Sequence, residues 1–200
     1  MKQCLITVLL CTAVSLNALA ADPAAGEAKA AVCVACHGPA GNSVNPEWPK
    51  LAGQHADYTA KQIRDFMAGV TRNNALMAPM IAGLSDEDIE NISAYYARQT
   101  STGGFASEEL HALGERIYRG GNAESGVPAC IACHGPRGGG SGLAGFPALA
   151  GQHAVYTAKQ IDDWRLGNRS NDANEMMADA VRYLTPQETR AVSEYIAGLH

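Results

Sequence analysis

Apolar positions along this chain recur at helical spacing. Ile63, Phe66, Met67 and Val70 follow an i, i+3, i+4, i+7 order, which predicts a helix with one buried stripe. Leu110, Leu113, Ile117 and Tyr118 mark a second amphipathic helix, and Val192, Tyr195, Ile196 and Leu199 the inward face of a last one. Two of the predicted helices carry start signals. Ser85 precedes Asp86, Glu87 and Asp88, and Thr185-Pro186-Gln187-Glu188 joins an N-cap, a proline at N1 and a capping-box glutamate. No stretch alternates as a strand does, so the expected fold class is all-α.

The pattern is written twice. Leu51-Ala-Gly-Gln-His55 returns as Leu149-Ala-Gly-Gln-His153, and Tyr58-Thr-Ala-Lys-Gln-Ile63 as Tyr156-Thr-Ala-Lys-Gln-Ile161. Leu84-Ser85 with Asp88 and Tyr95 matches Leu184-Thr185 with Glu188 and Tyr195. Copies of this length are domains rather than solenoid units. The expected division is a signal segment at 1–20, a first domain at 21–102 and a second at 103–200. The break falls in the Gly/Ser/Thr-rich stretch around Thr100–Gly104.

The N-terminus reads as an export signal. Lys2 supplies the basic start, Leu5 to Leu16 an apolar stretch too short to span a bilayer, and Ala18-Leu19-Ala20 a cleavage site. Cys11 follows Leu10 rather than a small residue, which argues against a lipoprotein anchor. The formal charge of −5 is mildly acidic, and both halves share it, so nucleic acid is not an expected partner. A protein partner with a basic docking patch suits such a surface.

The chemistry lies in the cysteines. Of six, Cys4 and Cys11 fall within the signal, and the other four form Cys33-Val-Ala-Cys36-His37 and Cys130-Ile-Ala-Cys133-His134. A CxxCH sequence attaches c-type haem: two thiols on one helical turn add to the vinyl groups, and the histidine then reaches the iron. A thioredoxin-like dithiol does not need that histidine twice, and a zinc site would have to pair cysteines more than ninety residues apart. The expected cofactors are therefore two covalently bound haem c groups. Three Phe and two Trp against 21 Gly make a thin apolar core, which a haem in each domain would complete. Glycine-rich loops such as Gly138–Gly140 would let backbone pass close to it.

The second axial ligand separates carrier from enzyme. A methionine closes the iron to substrate and raises its potential. The candidates are Met67, Met77 and Met80 in the first half and Met176 and Met177 in the second. Met77 precedes Leu84 by seven residues, as Met177 precedes Leu184. In that register Met80 pairs with Ala180 and Met176 with Leu76. The expected iron ligands are thus His37 with Met77 and His134 with Met177. Met67, on a helical stripe and opposite Arg165, is expected in the core. Both halves keep the methionine in the same register, which argues against a dihaem peroxidase, where one iron needs an open position.

Two CxxCH domains, each with a downstream methionine and an LAGQH-xx-YTAKQ segment, resemble the dihaem cytochrome c4 family over essentially all of the chain after the signal. The resemblance implies a bacterial periplasmic electron carrier, often loosely membrane-associated, with two haems facing across a pseudo-twofold interface. It further implies an upstream reductase or small cytochrome as donor and a terminal haem-copper oxidase as acceptor. The alternative is the cytochrome subunit of a larger dehydrogenase, for example a flavoprotein. The resemblance also suggests that the carbonyls of Pro49 and Pro147 accept the second ring N–H of each haem histidine. His55 and His153 also repeat and are alternative candidates for axial ligands, but each stands at a predicted helix start, where a polar residue is ordinary. Tyr58, Tyr156, Lys61 and Lys159 are open between reaching haem propionates and decorating a helix.

Overall fold

Two helical halves of the same plan make up the computed structural model, which describes residues 20–200. All but the last residue of the expected signal segment, with Cys4 and Cys11, lie outside the described residues. The first half holds α1 (Pro23–Lys29), α2 (Val34–His37), α3 (Ala56–Ala68), α4 (Met77–Ile81) and α5 (Asp86–Ala97). The second holds α6 (Glu108–Gly120), α7 (Ile131–His134), α8 (Ala154–Arg165), α9 (Met176–Val181) and α10 (Pro186–Ala197). Among the described residues there is no sheet, only isolated bridges such as Arg72 with Arg169. No helix among them is long and apolar enough to cross a membrane.

Each half is built on a crossing of its first and last helices. At the crossing the backbones come so close that only glycine fits. A Cβ on Gly26 would lie 2.0 Å from the Asn91 carbonyl oxygen, and one on Gly114 2.1 Å from that of Ala191. Both last helices start with the predicted capping boxes, Ser85 with Asp88 and Thr185 with Glu188. Around the first crossing cluster Ala30, Ala60, Ile63, Ile81, Ile89, Ile92 and Tyr96. Ile117, Tyr118, Val192, Tyr195, Ile196 and Leu199 lead the larger second core.

The stripe predicted for α3 is corrected in its second half. Ile63 is buried, but Met67 is 42% exposed and Val70 84%. The helix ends at Ala68, where Gly69 takes a left-handed conformation (φ 64°) and caps the Asp65 carbonyl, so Val70 leaves the helical face. The stretch around Thr100–Gly104 is docked rather than loose. Asn42 donates to the Thr100 carbonyl (3.0 Å) and accepts from the Thr102 N–H (2.8 Å), and Lys50 Nζ donates to the Gly103 carbonyl.

Between Arg72 and Met77 the second half has three more residues than the first. Arg72 and Arg169 stand 97 apart, whereas Met77 and Met177 stand 100 apart. The 3-10 turn Ala173–Glu175 takes up the excess, with Asn174 and Glu175 at φ 53° and 57°. Asparagine tolerates that region; for glutamate it is uncommon and costs some strain.

Candidate haem centres and the interface between them

The CxxCH segments form matching single turns. Cys33 and Cys130 occupy the N-cap positions of α2 and α7, and the turns stop at Gly38 (φ 74°) and Gly135 (φ 75°), whose N–H groups close on the carbonyls of Val34 and Ile131. All four thiols are unpaired. Burial raises the Cys33 thiol above its usual range, against a smaller opposing effect of the Tyr96 hydroxyl, and pushes Cys130 up to about 11. A reactive dithiol needs a depressed thiol. Cys33 and Cys130 have the reverse.

His37 and His134 are 7% and 5% exposed. From each ring Nδ1–H donates to a proline carbonyl, Pro49 at 2.9 Å and Pro147 at 3.0 Å. That bond fixes the tautomer and leaves Nε2 with its lone pair, the form that ligates a metal. Burial, only partly opposed by the proline carbonyl, holds both rings below the usual imidazole range and therefore neutral. The loops that bring the prolines back are pinned by Leu51 N–H on the Gly41 carbonyl (2.8 Å) and Leu149 N–H on that of Gly138 (2.7 Å). Here Gly140 (φ 66°) serves a backbone contact: a Cβ there would lie 2.4 Å from the Pro147 carbonyl oxygen.

The five candidate methionines divide cleanly. Met77 is partly buried and borders the first core together with Cys33; Met177 is partly buried and borders the second together with Cys130. Met80 and Met176 are 46% and 45% exposed, and Met67, expected in the core, is likewise at the surface. The backbone at each inward methionine is held by a preceding polar side chain. Asn74 Oδ1 accepts from the Met77 N–H at 3.1 Å, and Asp172 Oδ2 from the Met177 N–H at 2.7 Å.

The repeated LAGQH and YTAKQ segments meet between the halves. Gln54 accepts from the Ala148 N–H (3.0 Å) and donates to its carbonyl (2.9 Å), while Gln152 treats Lys50 in the same way (2.9 Å each). His55 Nε2 donates to the Gly139 carbonyl at 2.9 Å and His153 Nε2 to that of Ser43 at 3.0 Å. At the centre lie Arg72 and Arg169, 7% and 4% exposed. Arg72 reaches the Tyr156 hydroxyl (2.8 Å) and Gln160 (3.0 Å); Arg169 reaches the Tyr58 hydroxyl and Gln62, both at 3.0 Å. Each guanidinium also stacks on a ring of its own half, Arg72 on Phe66 and Arg169 on Trp164. Burial would raise the Tyr58 phenol, but the two guanidiniums outweigh it and hold the phenol below its ordinary value.

Tyr58 and Tyr156 are thus interface residues. Lys61 and Lys159 pair with Asp65 and Asp163 one turn on, and Lys61 also donates to the Asn171 carbonyl across the interface (2.7 Å). The arginines escaped the sequence reading, although Arg72 and Arg169 repeat at the same 97-residue offset as the cysteines. The glutamines lie inside the LAGQH repeat, and nothing local shows that they reach across.

These features fit a haem. The neutral imidazoles present a free Nε2, and the thiols are unpaired. The buried guanidiniums are answered directly only by neutral acceptors, an environment that an anionic carboxylate completes. Trp164 Nε1 is buried without a hydrogen-bond partner. Two tandem helical domains with such centres define a two-domain c-type cytochrome. The cytochrome c family model matches residues 24–98 and 112–200. The chain is 53% identical to cytochrome c4 of Thiocapsa roseopersicina over 89% of this chain and 93% of that one. Its structure matches reduced recombinant cytochrome c4 from Pseudomonas stutzeri with a TM-score of 0.88 at 47% identity, over 90% of this chain and 100% of the other. A thiosulfate dehydrogenase electron acceptor of Stutzerimonas stutzeri is 40% identical over 85% of this chain and 80% of its own length. The chain belongs to the cytochrome c4 family. It is an electron carrier with two covalently bound haem c groups.

Proposed function

We propose that the chain is exported to the periplasm and passes electrons from an upstream reductase or small cytochrome towards a terminal haem-copper oxidase, with peripheral contact to the membrane. The signal segment is 1–20, and the haem domains are 21–102 and 103–200. Cys33 and Cys36 hold the first haem by thioethers, and Cys130 and Cys133 the second. His37 with Met77, and His134 with Met177, are the axial pairs. The haem supplies a reversible one-electron couple. The chain keeps the imidazoles of His37 and His134 neutral and oriented and excludes water from them, and the thioethers of Met77 and Met177 would be the further ligands that hold the haem.

One observation carries the ligand assignment: of the methionines after each CxxCH, only Met77 and Met177 turn towards the core that their own cysteines border. Loss of thioether ligation lowers the potential and opens the iron to small ligands. Met77→Ala should abolish the sulfur-to-iron charge-transfer absorption of the first haem alone, and Met177→Ala that of the second. Met80→Ala and Met176→Ala should leave both bands. Loss of the second band in Met176→Ala instead would overturn the register.

A second reading, favoured by the thiosulfate dehydrogenase acceptor among the relatives, places the protein as electron acceptor of a dehydrogenase. Stopped-flow reduction separates the two. Fast reduction by a purified dehydrogenase with slow oxidation by an oxidase would support the second reading. Electron-transfer encounters are small and transient, so either productive reaction should be fast and its complex weak.

A further inference from the structure

Each glutamine of the repeated LAGQH segments binds the very peptide group that holds the other half's histidine. The Pro49–Lys50 peptide accepts the His37 ring N–H on its carbonyl (2.9 Å) and donates its own N–H to Gln152 Oε1 (2.9 Å). The Pro147–Ala148 peptide accepts from His134 (3.0 Å) and donates to Gln54 Oε1 (3.0 Å). The orientation of each side-chain amide is set by the backbone, because Nε2 donates to the next carbonyl, of Lys50 or Ala148, at 2.9 Å. In each case Oε1 also accepts the N–H of the histidine that follows it, His153 or His55.

We propose that Gln152 tunes the haem attached through His37 and that Gln54 tunes the haem attached through His134, each acting across the interface through a single peptide. Amide resonance links the two ends of that peptide. An acceptor on the N–H shifts electron density onto the carbonyl oxygen, and hydrogen bonds in series strengthen one another. A stronger carbonyl acceptor draws the ring proton further and makes the imidazole a better donor to iron, which favours the ferric state and lowers the potential. Each half then completes the ligand environment of the other. Gln54 and Gln152 are positioning residues: they touch neither iron nor ring. The proposal rests on the reading of His37 and His134 as axial ligands.

The test uses full-length holoprotein, with redox titration resolving the two haems and proton NMR of the reduced state following each ring Nδ1–H. Gln152→Leu should raise the potential of the first haem and move the His37 ring N–H resonance upfield, with His134 unmoved. Gln54→Leu should do the reverse. Gln152→Glu keeps a stronger acceptor and should move the His37 resonance downfield and lower the same potential. A general loosening of the interface would instead move both haems, and Leu and Glu variants, in one direction; that result overturns the proposal. So does a shift confined to the haem in the mutated half. The ligand reading fails separately, if the ring protons of His37 and His134 in the wild-type reduced protein lack the large upfield shifts of an imidazole on haem iron. Those shifts present, but indifferent to the glutamine variants, would sink only the tuning proposal.

Discussion

The two halves hold the same ring geometry on unequal supports. Histidine and proline are twelve residues apart in the first half and thirteen in the second, yet the bonds differ by only 0.1 Å. Around them much has drifted. Four residues after each crossing glycine stands Ala30 in the first half and Tyr118 in the second, both fully buried. The large aromatic missing from α1 is supplied by α5 as Tyr96, where α10 has Ile196. Volume was exchanged between the crossing helices while the crossing was kept. The comparison separates contacts whose direction matters, which the copies share, from packing volume, which either helix can provide.

The halves also differ in how firmly the first helix is tied. Helix α1 has seven residues and a single buried one, Gly26. Helix α6 has thirteen and buries Gly114, Ile117 and Tyr118, whose hydroxyl donates to the Gly135 carbonyl at 2.6 Å, beside the CxxCH turn. The second half is therefore the better supported without its cofactor.

The largest effect should come from withholding a haem. Cys33→Ser/Cys36→Ser should leave the first half unfolded, read as lost helical circular dichroism and rapid proteolysis, because haem binding is folding energy in a domain with so small a core. Cys130→Ser/Cys133→Ser should damage the second half less completely. A compact, protease-resistant first half without haem would refute the claim that haem is its core.

Closing the helix crossings comes next. Gly26→Ala and Gly114→Ala each force a methyl group against a carbonyl and should cost about 1–3 kcal/mol in denaturant unfolding of fully loaded protein. Gly114→Ala should cost more, because α6 buries Ile117 and Tyr118 beside its glycine whereas α1 buries Gly26 alone. Equal costs would count against the difference in support.

The smallest effect concerns the interface histidine His153. Burial, helped by the Lys50 charge and opposed by the Ser43 carbonyl, holds His153 below its ordinary imidazole value. The unfolded chain therefore takes up a proton first as pH falls. The stabilisation is complete above about pH 6.5 and is lost as pH drops from there through the folded value. Partial exposure screens it, so about a few tenths of a kcal/mol is expected. Comparing thermal unfolding at pH 7.5 and 5.5, His153→Asn should flatten part of the pH dependence of the wild type. An unchanged slope would remove His153 from the acid response.

Local spacing alone determined much of this protein. The doubled CxxCH, the capped last helices and the period of the apolar residues state two helical units, each with one CxxCH turn, because each signal is read within one or two helical turns. Even the pairing of Met77 with Met177 follows from a register counted back from Leu84 and Leu184. The end of α3 was harder to see, since Val70 keeps the helical period while Gly69 stops the helix. Two things were decided only by tertiary structure: that Met67 lies at the surface, and what the glutamines and arginines of the repeats are for. Gln54 looks like an ordinary polar residue before a helix until the chain brings Ala148 to it from 94 residues away. A hydrogen bond between halves depends on where two separate backbones end up, and no local period records that distance.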